Sequence, residues 1–293
     1  MNTTADTTRR VDARRRRDRG VPWGTVAGVS ALVVLAAIFL VPLVWMGLTA
    51  LKTVADTAAF PIKLLPSRLD FTNFQLAVTL IDYGKYARIS LFLATISMVL
   101  TTLTSALVGF GFARLRGWGK HPLFITMLAT TMLPSLLLAI PKYTIFARVG
   151  FIGTYWPWVA GGLGASPFLA FLFRQFFASI PRELEDAAIV DGCGYARMFW
   201  QIFLPLSKPV IATVAIFSWQ GTWDDFVSPL LFLNQDNTTL AVAMANGYTL
   251  ASGYPATNVL AAGSLLYTLP VIALFFVAQR YFVQGIVTSG LKG

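Results

Sequence analysis

Six long apolar segments limit what this 293-residue chain can fold into. A helix needs about 20 predominantly apolar residues to cross the hydrocarbon core of a bilayer, and backbone groups in lipid must bond within the segment. A composition of 56% hydrophobic and 12% charged residues does not suit a soluble domain of this length. The sequence therefore predicts an all-α integral membrane protein with six transmembrane helices. The predicted spans are Trp23–Leu48, Tyr86–Ala113, Leu123–Ile140, Tyr155–Phe177, Pro209–Leu233 and Val259–Phe282.

Basic residues predict the orientation of these spans, since Lys and Arg are retained on the cytoplasmic side of short loops. With both termini in the cytoplasm, 16 of the 23 Lys and Arg residues fall on that side. The outer loop between the fifth and sixth spans then has no basic residue. We therefore expect residues 1–22 to form a cytoplasmic N-terminus, residues 23–283 the transmembrane domain and residues 284–293 a cytoplasmic tail.

The first 22 residues are polar and rich in arginine, with a run of four at Arg14–Arg17. Together with a net charge of +10, such a run could indicate nucleic-acid binding. Directly before a first span, it is more typical of a positive-inside anchor that attracts anionic lipid. We predict that this segment is disordered, that its partner is the lipid bilayer, and that the chain binds no nucleic acid.

A polar block interrupts the apolar sequence after the fourth predicted span, within residues 178–208. Pro181 predicts a helix start, and acidic residues follow in the first turns, where the helix dipole favours negative charge. Gly192 predicts the end of this helix, and Pro205 the end of a second short helix. Small side chains share one face of the first helix and would let another surface approach closely. The block is thus predicted to be a docking surface, with an ordinary amphipathic surface helix as the alternative.

This block resembles the EAA loop of ABC-importer permeases, with Asp186 where the family usually has Glu and Cys193 where it usually has Ala. Further motifs, in the family's order, extend the resemblance from Pro42 to Gly293. They are Pro42–Lys52, Gly111–Arg114, Met132–Pro134, Ile140-Pro141, Ile180–Glu185, Trp223–Phe226 before Pro229-Leu230, Thr239–Val242 and Gly285–Gly293. The chain is therefore similar to the smaller, six-span permease subunit of maltose-type carbohydrate ABC importers, and the resemblance implies the type I ABC-importer permease fold.

The resemblance also implies how such a chain works. In the family, the EAA loop forms a coupling helix that inserts into a partner ATPase, and closure of the ATPase dimer swings the transmembrane helices between inward- and outward-facing states. The residues implied to couple to the ATPase are Glu185, Asp186, Ala187, Ala188, Asp191, Gly192, Leu204 and Pro205. The C-terminal residues implied to contact the ATPase are Gly290, Leu291, Lys292 and Gly293.

The implied partners are a second permease subunit, which completes a heterodimer, an ATPase dimer and an extracytoplasmic substrate-binding protein. The sequence has no Gly-x-x-x-x-Gly-Lys-Ser/Thr motif. We therefore expect this chain to bind no cofactor, with ATP and Mg bound by the partner ATPase subunits.

A second candidate site lies in the fifth predicted span, at Trp223, Asp224 and Asp225. Ionisable residues inside a span normally face a bundle interior or an aqueous cavity and mark a pathway. Because Gly221 and Pro229 flank the pair, we expect a kinked or broken helix whose polar side lines the translocation path, as the resemblance also implies. If the span ends earlier, both carboxylates lie in outer headgroup water instead.

The predicted outer loop Asn234–Asn258 contains several turn-forming residues. In the resembled family, the equivalent loop reaches toward the sugar cleft of the binding protein. The residues expected to face that protein are Asn246, Gly247, Tyr248, Ser252, Gly253 and Tyr254. A spacer without a partner is the alternative, since such residues are common in any loop.

One cysteine and one histidine, far apart in the sequence, predict neither a metal site nor catalytic activity. The predicted function is the permease subunit of an ATP-driven, binding-protein-dependent sugar importer in the cytoplasmic membrane. The alternative is an ion-gradient-driven secondary transporter that uses Asp224 and Asp225. A purely structural membrane subunit would leave the EAA block unexplained. The sequence does not identify the sugar.

Overall fold

A computed structural model describes residues 23–249, 253 and 255–290. Apart from an isolated bridge between Thr249 and Pro255, the regular structure of these residues is helical, so the prediction of an all-α chain is confirmed for them. The predicted N-terminal segment 1–22 lies outside the described residues. The α-helices are α1 Trp23–Ala50, α2 Val54–Thr57, α3 Thr72–Thr79, α4 Tyr83–Arg114, α5 Lys120–Ala129, α6 Ala139–Arg148, α7 Trp156–Leu163, α8 Pro167–Ser179, α9 Arg182–Val190, α10 Tyr195–Met198, α11 Leu204–Leu206, α12 Lys208–Trp223, α13 Val227–Phe232, α14 Leu240–Gly247 and α15 Thr257–Gly290.

Four helical segments of the described chain are long and apolar enough to cross a membrane. They are Val26–Ala50, Tyr83–Arg114, Trp156–Ser179 and Thr257–Val277. A fifth candidate is the bent pair Tyr195–Leu206 and Lys208–Trp223, whose two parts meet at 84°. By length and composition, the described residues therefore provide four or five candidate spans rather than the six that the sequence predicts.

The third predicted span, Leu123–Ile140, is not a single helix. Helix α5 ends at Ala129, a 3₁₀ turn covers Thr130–Met132, and α6 begins only at Ala139. Pro134 explains the break, because it has no N–H for a helical hydrogen bond and restricts the residue before it. Leu133 accordingly takes an extended conformation, with φ −76° and ψ 120°.

Helix α4 is the central helix, and it packs against α7, α8 and α12. Its contact with α8 is close at Gly109, where an added Cβ would lie 2.5 Å from the Cβ of Phe173 and 2.9 Å from the carbonyl oxygen of Ala170. Small residues at helix contacts let two backbones approach in this way. Helix α1 packs along α15 and leaves large apolar side chains such as Phe39 exposed, as expected of a surface covered by lipid or by another subunit.

The predicted outer loop Asn234–Asn258 is not simply a polar loop. It contains α14, whose side chains Leu240, Val242, Ala243 and Met244 are buried. Most of them pack in a cluster with residues of α3 and α15, including Ala77, Val259 and Ala262. The apolar run from Leu240 to Met244 is the sequence signal for this helix, and packing against α3 and the first turns of α15 stabilises it.

The last helix, α15, extends to Gly290. The boundary between the sixth span and the cytoplasmic tail was predicted at Gln284, so the helix passes this boundary without a break. Pro270 lies within the helix. The predicted tail residues Leu291, Lys292 and Gly293 lie outside the described residues.

Candidate docking hairpin and translocation path

The polar block after α8 folds into a helical hairpin, which we call the docking hairpin and define as Arg182–Leu206. Its first helix, α9, follows Pro181 and ends with Gly192 in the left-handed region at φ +74°. The Gly192 N–H donates to the Ile189 carbonyl at 3.0 Å, and the Cys193 N–H donates to the Ala188 carbonyl at 2.8 Å. These two bonds form a Schellman motif, which satisfies the last carbonyls of the helix. The predicted start and end of this helix are confirmed.

The sequence predicted that the second arm of the docking hairpin ends at Pro205. In the structure, this arm continues beyond Pro205. Helix α10 continues through a π-helical segment, Phe199–Phe203, into α11, which ends at Leu206. The change of helical register places Pro205 in the first turn of α11, where a missing N–H is tolerated. The chain then bends sharply at Ser207, whose hydroxyl donates to the Phe203 carbonyl at 2.6 Å.

One side of the docking hairpin is buried in an aromatic cluster. Ala188, Met198, Phe199 and Phe203 pack there against residues of α4 and α8, among them Phe110, Phe173 and Phe177. Phe110 and Phe203 have ring centroids 5.1 Å apart in an edge-to-face arrangement, which is favourable for aromatic pairs. The cluster ties the hairpin to the ends of the central helices.

The other side of the docking hairpin is exposed. Among the residues implied to couple to an ATPase, Asp186, Ala187, Asp191, Gly192 and Pro205 are exposed, whereas Ala188 is buried and Glu185 and Leu204 are half-buried. Val190 is 87% exposed beside Asp191. The hairpin thus has an inner face, which holds it in place, and an outer face, which is free for contact with another surface.

Arg114, the last residue of α4, joins the docking hairpin to the helical bundle. Its guanidinium lies 3.1 Å from the Glu185 carboxylate, donates to the carbonyls of Phe177 and Ile180 at the end of α8, and lies 4.9 Å from the Phe203 ring centroid. Carbonyls at a helix C-terminus favour a cation. Arg114 belongs to the motif Gly111–Arg114, but the sequence did not predict this role. The available signal was a single basic residue closing an apolar span.

The fifth predicted span is broken, as the sequence predicted. Helix α12 ends at Trp223, and α13 begins at Val227. The Asp225 carboxylate accepts a hydrogen bond from the Ser228 N–H at 3.0 Å and so satisfies a backbone donor at the start of α13. Asp224 is exposed.

Trp223 is buried and does not face open space. Its ring stacks between the rings of Trp219 and Tyr267, each with a centroid distance of 5.0 Å, and its carbonyl accepts a hydrogen bond from the Tyr267 hydroxyl. Trp223 therefore anchors the end of α12, and it is not placed where a solute in an open path would touch it.

Asp225 lines a cavity of about 230 Å³ between the central helices. Its aromatic walls include Trp158 and Phe232. Its polar lining comes from Ser97, Thr101, Lys142, Thr222, Asp225 and Ser228. Lys142 follows the third predicted span, and the sequence did not predict its proximity to Asp225. These polar groups can donate and accept hydrogen bonds, as a polar solute requires.

The residues implied to face a binding protein lie in different environments. Tyr248 is buried, and its hydroxyl donates to the Ala77 carbonyl at 2.6 Å. Gly247 packs so closely that an added Cβ would lie 2.2 Å from Cγ2 of Ile81. Tyr248 is therefore not available to a partner on the surface of the protein.

Asn246 and Gly253 are exposed, whereas Ser252 and Tyr254 lie outside the described residues. Asn246 borders a cavity of about 480 Å³ that Asp82, Asn234 and Gln235 also line. Polar groups are thus exposed at this end of the molecule. Gly290, one of the C-terminal residues implied to contact the ATPase, is the last residue of α15.

The fold and these features define a membrane protein of several spans, with a docking hairpin at one end and a broken helix in its interior. Residues 105–288 match the family model described as the binding-protein-dependent transport system inner membrane component. The chain belongs to this family. The predicted resemblance and membrane location are confirmed, and the family is one of transporter components rather than enzymes.

Individual relatives agree with this assignment. The chain is 33% identical over 258 residues to the "Probable ABC transporter permease protein YurM" of Bacillus subtilis, which covers 86% of this chain and 83% of the relative. It is 31% identical to the arabinooligosaccharides transport system permease protein AraQ of Halalkalibacterium halodurans, over 90% and 94% of the two chains.

A solved structure of a bacterial ABC transporter involved in the import of the acidic polysaccharide alginate has the same fold. Its TM-score is 0.74 at 18% identity, over 90% of this chain and 98% of the other. The prediction of an ABC-importer permease fold is thereby confirmed.

Proposed function

We propose that the chain is the transmembrane permease subunit of an ATP-driven, binding-protein-dependent carbohydrate importer. The observation that carries this proposal is the docking hairpin, with its buried inner face and exposed outer face. The relative named for arabinooligosaccharide transport supports carbohydrate as the substrate class. The family assignment gives no support to the alternative of an ion-gradient-driven transporter.

The proposed topology has six spans and both termini in the cytoplasm. Helices α5 and α6 together form the third crossing, interrupted around Pro134, and α12 with α13 forms the fifth. The Arg114–Glu185 ion pair supports this topology, because it joins the end of the second span to the docking hairpin. Both then lie at the cytoplasmic end, where the excess of basic residues is expected.

The outer face of the docking hairpin is proposed to bind a partner ATPase subunit, which supplies ATP and Mg. Asp186, Ala187, Asp191 and Gly192 are the contact residues on this face, and the C-terminal residues from Gly290 onward add to the same interface. When the ATPase dimer closes, the hairpin moves with it. Arg114 and the aromatic cluster pass this motion to the central helices, because packed groups of this kind move as one body.

The substrate is proposed to pass along the broken fifth span. Asp225 and Lys142 contribute hydrogen-bonding groups on this path, and Asp224 lies at its entrance. The exposed Asn246 and Gly253 are assigned to the surface that meets an extracytoplasmic binding protein. A second permease subunit completes the path as the other half of a heterodimer.

The test substitutes Gly192 by Leu in the complete transporter. The left-handed φ of Gly192 disfavours any side chain by about 1–3 kcal/mol, and Leu also adds bulk to the outer face. We expect the variant to insert into the membrane but to lose substrate uptake. It should also lose substrate-stimulated ATP hydrolysis, or it should no longer bind the ATPase. Asp186→Lys should act similarly, since it reverses a charge near the helix start.

Gly150→Leu is the matched control. Gly150 also has φ +74°, and an added Cβ there meets nothing within 4 Å, as at Gly192. Gly150 lies before α7, at the end of the fourth span that is far from the docking hairpin. A leucine there causes the same backbone strain but does not change the docking surface. Full uptake and full stimulated ATPase activity in both Gly192→Leu and Asp186→Lys would refute the docking assignment.

A further inference from the structure

A basic cavity of about 500 Å³ lies beside the start of the docking hairpin. Its charged lining consists of Arg114, Arg116, Lys120, Arg182, Glu185 and Asp186. Arg114 and Glu185 neutralise each other as an ion pair. Arg116, Lys120 and Arg182 form no ion pair with any described residue. Three positive charges therefore face the single remaining negative charge of Asp186.

Two further cations, the guanidiniums of Arg174 and Arg182, lie near the Lys120 ammonium. The ammonium donates to the Leu115 carbonyl at 2.7 Å, which leaves two of its three N–H donors for other acceptors. An anion in this cavity would be attracted by several cations and would find free donors.

A second cavity, of about 340 Å³, adjoins the basic one and shares with it Leu115, Arg116, Gly117 and Lys120. Its remaining walls are mostly apolar and come from α4 and α5, through Val108, Gly111, Phe112 and Leu123. Both helices belong to predicted spans, so this groove is expected to lie at the membrane. Arg116 and Lys120 therefore border both the apolar groove and the cluster of cations.

Trp118 borders the groove and is fully exposed. Tryptophan is enriched where the hydrocarbon core meets the headgroups, because its ring is apolar and its N–H is polar. Its neighbours Arg116 and Lys120 are the cations shared by the two cavities. The segment therefore has the composition expected at the headgroup level of a membrane.

We propose that the two cavities together bind one anionic phospholipid, with its phosphate among Arg116, Lys120 and Arg182 and an acyl chain in the groove between α4 and α5. Charge complementarity selects an anionic headgroup, and basic pockets beside transmembrane helices bind such lipids. The adjoining apolar groove selects a lipid over a free phosphate or an acidic protein segment. Because Arg182 is the first residue of α9, the bound phosphate would connect the start of the docking hairpin with Arg116 and Lys120.

The test uses the complete, delipidated transporter complex, titrated with phosphatidylglycerol or phosphatidylcholine and examined by native mass spectrometry. Wild-type complex should bind phosphatidylglycerol more tightly. Replacing both Arg116 and Lys120 by Gln should weaken that binding about thirtyfold, since each cation near a lipid surface contributes about 1 kcal/mol. Arg148→Gln, which removes an exposed charge from the end of α6, is the control and should not change the affinity.

Gly111→Leu tests the groove without changing a charge. An added Cβ at Gly111 has room, with its nearest contact 4.0 Å away at Leu115, and the larger side chain would then occupy the space proposed for the acyl chain. We expect it to weaken phosphatidylglycerol binding while the complex stays assembled. The proposal does not depend on which solute is transported, so a lipid result leaves the transport assignment unaffected.

Three results would overturn the proposal. One is an unchanged phosphatidylglycerol affinity in the Arg116→Gln, Lys120→Gln variant. Another is equal binding of the two lipids by the wild-type complex. The third is competition by glycerol phosphate, which has no acyl chains, as strong as competition by phosphatidylglycerol, because that would identify a plain phosphate site.

Discussion

At the scale of single residues, Arg114 has the clearest energetic role. Its guanidinium is almost completely buried and contacts α8, α9 and the π-helical segment at the same time. Removing one partner of a buried ion pair costs about 3–5 kcal/mol, because the other charge is left uncompensated. We expect Arg114→Ala to lower the stability of the purified complex by this amount and to reduce the number of substrate molecules transported per ATP. Thermal unfolding and paired uptake and ATPase assays measure the two effects.

Arg114→Lys should give an intermediate result, since an ammonium keeps the charge but does not reproduce the planar set of donors. Arg88→Ala is the matched control. Arg88 lies in the same helix, is exposed, and bonds only to the local carbonyl of Gly84 among the described residues. Its loss should change stability by less than about 0.5 kcal/mol. If Arg114→Ala behaved like Arg88→Ala, Arg114 would not hold the docking hairpin.

Single residues also show which parts of the site can be predicted from the sequence. The turn at Gly192 was predictable, because a helix end with a left-handed glycine is a local pattern. The contact of Arg114 with Glu185 was not, since it joins residues separated by 71 positions. The same limit applies to Lys142, whose sequence neighbours give no indication that it shares a cavity with Asp225.

At the scale of helices, the crossing of α4 and α8 depends on Gly109. An added Cβ would meet backbone and Cβ atoms of α8 at 2.5–3.0 Å, and these atoms cannot move without separating the two helices. We expect Gly109→Ala to lower the stability of the complex by about 1–3 kcal/mol, which is typical of an overpacked contact. Its unfolding temperature in detergent should fall accordingly.

Gly111→Ala is the control for this effect. Gly111 lies in the same helix two residues later, and an added Cβ would have its nearest contact 4.0 Å away. Alanine has a higher helix propensity than glycine, so Gly111→Ala should leave the stability of the complex unchanged or raise it slightly. Equal destabilisation by both variants would mean that the loss of glycine itself, rather than the close crossing, causes the effect.

Helix-level predictions from the sequence succeeded where a segment is long and uniformly apolar, as for α1, α4 and α15. They failed where tertiary packing decides. Turn-forming residues suggested a loop at Asn234–Asn258, yet the buried face of α14 stabilises a helix there. Likewise, a π-helical segment lets the second arm of the docking hairpin continue past Pro205. The apolar run Leu240–Met244 is a local signal for α14, whereas no local pattern predicts the π-helical segment.

At the scale of the whole molecule, α12 connects the two candidate sites. It begins at Lys208, directly after the docking hairpin, and ends at Trp223, directly before Asp224 and Asp225. With 16 residues it spans about 24 Å at 1.5 Å per residue. Its far end is held by the stack of Trp219, Trp223 and Tyr267. A movement of the docking hairpin is therefore expected to reach the broken helix.

This connection predicts that access to Asp225 depends on the state of the ATPase. In a Cys193→Ala background, which removes the only cysteine, Asp225→Cys would be treated with a membrane-impermeant thiol reagent outside proteoliposomes that contain the complete transporter. We expect the labelling rate to differ at least severalfold between the nucleotide-free and ATP-bound states, because ATP binding shifts the population between two conformations.

Ile62→Cys is the control, since Ile62 is 71% exposed in the segment between α2 and α3, which the proposed topology places outside. It should react at the same rate in both states. If Asp225→Cys also reacted at one rate in both states, the cavity would belong to a static surface. If it were protected in every state, Asp225 would lie permanently between packed helices. Either result would contradict the assignment of Asp225 to a translocation path that changes with the state of the ATPase. The roles of the docking hairpin and of Arg114 are tested by separate experiments.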